Sequence, residues 1–332
     1  MDNSKTALVL GATGGIGGEV ARQLRAAGWQ VRALRRTAGT AAADGIDWHR
    51  GDALNREDVT RAAEGCAVIV HAVNPPGYRD WDKLVLPMID NTIAAAIAQR
   101  ATIVLPGTVY NFGPDAFAQV LHEDAPQRPL TKKGAIRVQM EQRLEEASRR
   151  GARALIVRAG DFLGPKSGNS WFGQGMLKAG QPVRSIGNPA QAGHQWAYLP
   201  DVARTMVELL ARREALAPFE RFHMEGHWDA DGRQIAEAVQ RVVARREGIT
   251  PKIGGIPWWL FRLAAPFNVT LREMLEMRYL WQRPVRMSNE KLVRVLGREP
   301  HTPLDEAVEA SLVGLGCLRE ERPARAVTAP SP

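Results

Sequence analysis

Residues 8–18 read Leu8-Val9-Leu10-Gly11-Ala12-Thr13-Gly14-Gly15-Ile16-Gly17-Gly18. The apolar run Thr6–Leu10 ends on glycines at 11, 14 and 17, and a helical pattern, Gly15–Ala27, follows. In that context, G-x-x-G-x-x-G gives each glycine its own task. Gly11 permits the sharp turn out of the strand. Gly14 lets the backbone approach a diphosphate with no Cβ in the way. Gly17 lets the helix pack closely on the strand. Free N–H groups and the dipole at the helix start attract phosphate charge. Thr13, Gly15 and Ile16 complete the cradle.

Outward from this loop, short apolar runs alternate with helical patterns. Strands are expected at Gln30–Leu34, Asp47–Arg50, Val68–Ala72, Thr102–Leu105 and Ala154–Val157. Helices are expected at Asn55–Ala63, with Asn55 as N-cap, at Asp82–Gln99 and at Leu130–Arg150. That alternation signals an α/β fold, a Rossmann-type doubly wound parallel sheet covered by helices. Past Gly160 the rhythm changes to a smaller, mostly helical substrate lobe. The segments Gln195–Leu199 and Arg221–Met224 read as a return to the sheet, and Pro303–Val313 as a helix with Thr302 as N-cap. The expected division is a dinucleotide-binding domain over 1–160, completed by parts of 194–224, a lobe over 161–318, and a disordered tail over 319–332.

The second strand ends Arg32-Ala33-Leu34-Arg35-Arg36. A carboxylate there would hold the ribose 2′-OH of NAD, and none is present. Two guanidiniums suit a 2′-phosphate, so NADP is favoured over NAD; Arg35 and Arg36 also read as plain surface cations. Asp52 and Ala53 follow the third strand, where they can meet the adenine; a turn aspartate is the simpler reading of Asp52. Ala72, Val73 and Asn74, after the fourth strand, are further cofactor contacts.

The chain has 332 residues, 45% hydrophobic and 24% charged, with a formal net charge of +8. These values are ordinary for a globular enzyme and argue against disordered, collagenous and coiled-coil classes. No helix-turn-helix, zinc or aromatic RNA motif accompanies the positive charge, so no nucleic-acid partner is expected. Cys66 and Cys317 have no CxxC spacing and read as reduced thiols. No secretion signal opens the chain, which points to the cytoplasm. The apolar stretch Ile256–Phe267 holds Arg262 and two prolines and falls short of the ~20 residues that span a bilayer. Within it, Pro257-Trp258-Trp259-Leu260-Phe261-Arg262 reads as a buried helix, an apolar pocket wall, a partner interface or a membrane-surface contact. The sequence leaves a homodimer open.

These motifs, with Thr108-Val109-Tyr110, Tyr198-Leu199-Pro200-Asp201-Val202-Ala203 and Leu296-Gly297-Arg298-Glu299-Pro300, give a chain that resembles the extended short-chain dehydrogenase/reductase superfamily, of the NAD-dependent epimerase/dehydratase type. The resemblance covers about residues 5–318. It implies catalysis by Ser/Thr, Tyr and Lys, with Tyr and Lys spaced Y-x-x-x-K on one helix. Here the sequence departs. Gly134 and Glu141 fit the usual surroundings of that motif, and that register puts Lys133 at the tyrosine position and Arg137 at the lysine position. Thr108 is the nearest hydroxyl to the usual serine. The candidate catalytic set is therefore Lys133, Arg137 and Thr108, with Lys133 as general acid or poised base. Alternatively Lys133 binds an anion and moves no proton, or both cations lie on a surface. Tyr110, Tyr78 and His71 are the remaining proton donors.

On the substrate side the candidates are Tyr110, Asp161, Trp171, His194 and Trp196, converging on a pocket between lobes; as single aromatics, Trp171 and Trp196 also suit the lobe's core. His194 has no H-x-x-H or Cys partner, and no metal is expected. The implied function is an NAD(P)-binding, epimerase/dehydratase-like oxidoreductase acting on a small-molecule carbonyl or hydroxyl. The alternative is a non-catalytic NAD(P)-binding sensor or assembly protein of the same fold.

Overall fold

The computed structural model describes residues 5–37, 45–75, 80–168, 170–189 and 192–320. The first half runs β1 (Thr6–Leu10), α1 (Gly15–Ala26), β2 (Gln30–Arg35), β3 (Asp47–Arg50), α2 (Arg56–Ala62), β4 (Val68–His71), α3 (Trp81–Gln99), β5 (Thr102–Gly107), α4 (Lys132–Ser148) and β6 (Arg153–Arg158). The second half runs β7 (Asp161–Leu163), β8 (Ser185–Asn188), β9 (His194–Tyr198), α5 (Leu199–Leu210), β10 (Phe219–His223), β11 (His227–Asp229), α6 (Gln234–Glu247), β12 (Lys252–Gly255), α7 (Trp258–Ala264), α8 (Val269–Glu276), α9 (Glu290–Leu296) and α10 (Leu304–Gly314).

Seven strands form one sheet in the order β10-β6-β5-β4-β1-β2-β3, and every pairing within it is parallel. Parallel strands buried on both faces need apolar side chains throughout. β1 obeys: Ala7 and Val9 join Val20, Leu24, Met206 and Leu209 on the face covered by α1 and α5. Leu8 and Leu10 join Val59, Ile89, Met140 and Leu144 on the face covered by α2, α3 and α4. The strand order reverses between β1 and β4, and ligands of such sheets bind in the crevice at that point.

The lobe has its own core around Phe172, Trp196, Val239, Trp281 and Val308. A smaller cluster joins Val109, Phe112 and Leu121 to Met277, Leu280 and Met287. It carries the end of α8 onto the start of α4.

Several local expectations change. β9 does not rejoin the main sheet; it lies between β11 and β7 in a three-stranded sheet, while β10 does rejoin. Past Gly160 the lobe opens with a strand rather than a helix, since Asp161–Leu163 pairs with β9. In the lobe, α8 gives way directly to a 3₁₀ turn at Met277–Trp281. Thr302 does not cap α10. Its N–H and hydroxyl both donate to the Asp201 carboxylate, at 2.6 and 2.9 Å, which clamps the chain to the start of α5. Asn55 does cap α2, accepting from Glu57 N and Asp58 N. The expected tail lies outside the described residues from 321 onward, as do Tyr78 and Asn169.

Candidate functional site

The crevice above β1 and β4 opens into a cavity of about 650 Å³. At one end lies the glycine loop. Gly11 takes φ +87°, and a Cβ there would stand 2.5 Å from the Ala72 carbonyl oxygen. A Cβ on Gly17 would stand 2.3 Å from the Gly11 carbonyl oxygen, so the helix can cross the strand only if residue 17 is glycine. A Cβ on Gly14 would have one neighbour, at 3.3 Å, and otherwise open space. Helix α1 starts at Gly14 with no side-chain cap and no acid in its first turn. Its leading N–H groups need a partner there.

Arg35, Arg36, Asp52 and Ala53 line the same end of the cavity. The Arg35 guanidinium lies 4.9 Å over the Trp48 ring, and Arg36 is exposed. Asp52 also orders its own turn, with Oδ1 accepting from Leu54 N at 3.0 Å.

The other end is built by β5, α4 and the strand after β6. Thr108, Tyr110, Arg137, Asp161 and Trp171 all line it, with Asn74 and Trp81. Arg137 is buried; its Nη atoms donate to Pro106 O at 3.4 Å and Asn74 Oδ1 at 3.5 Å, and its plane lies 5.2 Å over Trp81. Thr108 Oγ1 accepts from Tyr110 N at 3.3 Å. Asp161 Oδ2 is 2.8 Å from His194 Nε2. His194 itself is buried, stacked on Trp281 at 3.8 Å between centroids, and its Nδ1 meets no hydrogen-bond partner among the described residues.

The structure separates some residues that the sequence grouped. Thr13, Gly15, Ile16, Ala72 and Val73 share the cavity wall with those above, whereas Lys133, His194 and Trp196 are not on it. Lys133 is buried, and its Nζ lies 3.3 Å from Glu276 Oε2 on α8. The same carboxylate accepts from Lys132 N through Oε1 at 3.1 Å. Thus α8 draws the ammonium away from the cavity that Arg137, one turn on, still faces. Trp196 is in the lobe core. His71 is also off the wall; it pairs with Thr92 Oγ1 at 2.8 Å, and burial, followed by the charge of Arg137, pushes its pKa down to about 3.

Glu141 lies two turns beyond Lys133. It accepts from Arg158 Nε and Nη2 at 3.0 and 2.5 Å and from Asn111 Nδ2 at 2.9 Å. Arg158 continues to His223 Nε2 at 2.9 Å. His223 Nδ1 then donates to Leu121 O, and burial with the neighbouring Arg158 holds this imidazole well below its usual pKa. The network ties α4 to β6 and β10 beneath the cavity.

Sequence reasoning assigned no role to Lys166 or Ser167. Lys166, Ser167 and Ser170 line the cavity facing the glycine loop, and a Cβ on Gly15 would lie 2.5 Å from Lys166 O. The run Gly164-Pro165-Lys166-Ser167-Gly168 carried the signal: a cation and a hydroxyl on flexible backbone. Trp81, beside Arg137, gave no such signal. Neither did Glu276, which lies 143 residues beyond its partner Lys133.

A curated relative, sterol demethylase protein B of Methylococcus capsulatus, is 40% identical over 81 residues, spanning 24% of this chain and 25% of that protein. The chain thus matches a quarter of that relative's length. Among solved structures, a monomeric L-threonine 3-dehydrogenase of metagenomic origin superposes with TM-score 0.74 at 14% identity, covering 95% of this chain and 100% of the other. A UDP-galactose 4-epimerase gives 0.69 at 17%, covering 94% and 98%. The Bordetella bronchiseptica enzyme WbmH, solved with NAD+, gives 0.70 at 17%, covering 93% and 97%. At such identities the likeness is one of fold. No helix among the described residues is long and apolar enough to cross a membrane. The sequence profile of the NAD dependent epimerase/dehydratase family matches residues 7–224, well over half of the chain, and the chain belongs to that family.

Proposed function

We propose that the protein is an NADP-dependent oxidoreductase or epimerase-type enzyme, acting on a hydroxyl or carbonyl carried by a largely apolar small molecule. The observation that carries this reading is one continuous cavity. It has a backbone cradle and two arginines at one end, and a hydroxyl, a guanidinium and a carboxylate at the other. The cradle fits a dinucleotide because the Gly14 position leaves room where a side chain would obstruct a diphosphate. A bound nicotinamide dinucleotide supplies the hydride acceptor or donor.

In this reading the N–H groups at the start of α1 hold the diphosphate, with Lys166 closing from the opposite wall. Arg35 and Arg36 hold the 2′-phosphate. Arg137 and the Thr108 hydroxyl donate to the reacting oxygen or the adjacent ribose. Asp161 accepts the proton of a substrate hydroxyl, positioned from behind by His194 Nε2–H. Lys133 orders the start of α4 through Glu276 and transfers no proton. The apolar wall of Trp81, Leu84, Met88, Phe162 and Trp171 suits a rigid hydrocarbon body. The short sterol demethylase match supports testing ring alcohols and ketones of that kind first.

Titration of NADPH and NADH against the wild type and an Arg35→Ala/Arg36→Ala variant tests the cofactor reading. Loss of two charge-assisted contacts should weaken NADPH about ten-fold or more, with little change for NADH. Equal weakening of both overturns the NADP assignment. Following NADPH oxidation over a panel of ring ketones tests the chemistry, and Asp161→Asn should lower kcat about 100-fold. Tight NADPH binding without turnover on any of these ketones supports instead a dinucleotide-sensing protein, the reading favoured by the engagement of Lys133 with Glu276.

A further inference from the structure

The segment Trp258–Phe267 is only partly absorbed by the core, through Trp258, Phe261 and Ala265. Trp258 faces inward, with its ring 6.0 Å from Trp171 on the cavity wall and the Arg278 guanidinium 5.1 Å over it. The opposite side of α7 is bare. Trp259 is 64% exposed, Leu263 68%, and Phe267, in the turn after the helix, 92%; Leu260 is also exposed. Residues 259, 260 and 263 share one side of α7 by helical spacing, and Phe267 follows them in the turn after the helix.

The charge along this stretch of chain is one-sided. Between residues 249 and 283 stand Lys252, Arg262, Arg272, Arg278 and Arg283 against Glu273 and Glu276. The Glu276 carboxylate is already turned to Lys133. Arg262 and Arg283 are exposed. A second copy docked by a two-fold axis would bring this patch onto itself, five cations facing five with two acids on each side, one of them already engaged by Lys133. An anionic lipid surface answers both features at once. Tryptophan and phenylalanine sit at the boundary between headgroups and acyl chains, and arginines beside them meet phosphates.

We propose that α7 and the turn after it dock the protein on an anionic lipid surface. Trp259, Leu263 and Phe267 enter the acyl boundary while Arg262 and its neighbours contact headgroup phosphates. The same helix backs onto the aromatic cavity wall through Trp258 and Trp171, so docking holds that wall close to the lipid. The inference does not depend on turnover or on the cofactor being NADP.

Sedimentation of the full chain with vesicles tests it. Phosphatidylcholine vesicles containing phosphatidylglycerol should bind about ten-fold more protein than phosphatidylcholine alone, and high salt should reduce the difference. Trp259→Ser/Leu263→Ser/Phe267→Ser should abolish binding to both, and Arg262→Glu should remove the anionic preference. NADPH affinity, measured on each preparation, reports that the fold is intact. Equal sedimentation of wild type and triple variant overturns the proposal. So does a solution dimer that the triple variant converts to monomer while the wild type ignores vesicles. Vesicle binding without NADPH binding leaves this inference standing and removes the cofactor reading instead.

Discussion

Helices α1 and α4 both begin beside the cavity, and they treat their first turns in opposite ways. Helix α1 starts on Gly14 with no side-chain cap and no acid, so its leading amides face the crevice. Helix α4 starts on Thr131, whose side chain accepts from Gly134 N, and Glu276 then takes Lys132 N and the Lys133 ammonium. One helix start is left open toward the crevice; the other is closed by the protein's own carboxylate. In the proposed reading the contrast separates the part of the site that binds from the part that holds the frame.

That contrast can be broken from either side. Glu141→Ala is expected to have the largest effect. It strands the buried Arg158 guanidinium, a class of change that costs about 3–5 kcal/mol. The urea midpoint should fall steeply, with saturating NADPH recovering only what its binding supplies. A midpoint within experimental error of wild type would mean that the network beneath α4 holds nothing.

Gly11→Ala comes next. A left-handed φ costs a side chain roughly 1–2 kcal/mol, and the new Cβ would press on the Ala72 carbonyl. Dinucleotide affinity should drop with stability, since the loop itself must move. If calorimetry found affinity unchanged, the open helix start would not be the binding element.

Glu276→Gln sharpens the other side. Losing the charged partner of Lys133 should cost about 1–2 kcal/mol, while NADPH affinity stays as in wild type. A fall in NADPH affinity with no loss of stability would place Lys133 in the binding site after all.

The smallest effect is on pH dependence. His71 has its pKa pushed from 6.5 down to about 3, so above pH 6.5 it is neutral whether folded or unfolded. As pH falls below 6.5 the unfolded chain takes up a proton that the folded core refuses. Its stabilising contribution is therefore complete above 6.5 and is lost towards pH 3, at about 1 kcal/mol per pH unit. His227, pushed down to about 4 by burial and by His301, acts in the same direction. Urea midpoints at pH 7 and 5.5 should diverge less in His71→Gln than in wild type; an unchanged divergence would show that His71 is protonated in the folded state.

How much of this was legible follows from how local each cause is. The glycine loop could be read because its three glycines fall within seven residues between a strand and a helix, although the atoms that exclude a Cβ at Gly11 belong to Ala72. The strands could be read because parallel strands buried on both faces leave an unbroken apolar run, as in Val68-Ile69-Val70. Lys133 could not. Its i, i+4 relation to Arg137 correctly put both on neighbouring turns of one helix. Its direction was decided by Glu276, which the Met277–Leu280 cluster brings in from the lobe. Thr302 failed as a cap for the same reason: Asp201, a hundred residues earlier, claimed its N–H and hydroxyl. Lys166 and Ser167 show the converse, a cation and a hydroxyl that were readable beside glycines and were left without a role.

The Asp201–Thr302 clamp bears on how the molecule is made. The carboxylate that anchors the first turn of α5 is buried, and two of its hydrogen bonds come from residue 302. Until that residue has left the ribosome, α5 covers one face of the sheet with an acid whose main partners do not yet exist. Final locking of α5 against the seven-stranded sheet therefore waits for residue 302 to be synthesised, and a truncation before it should weaken the part of the protein it leaves untouched.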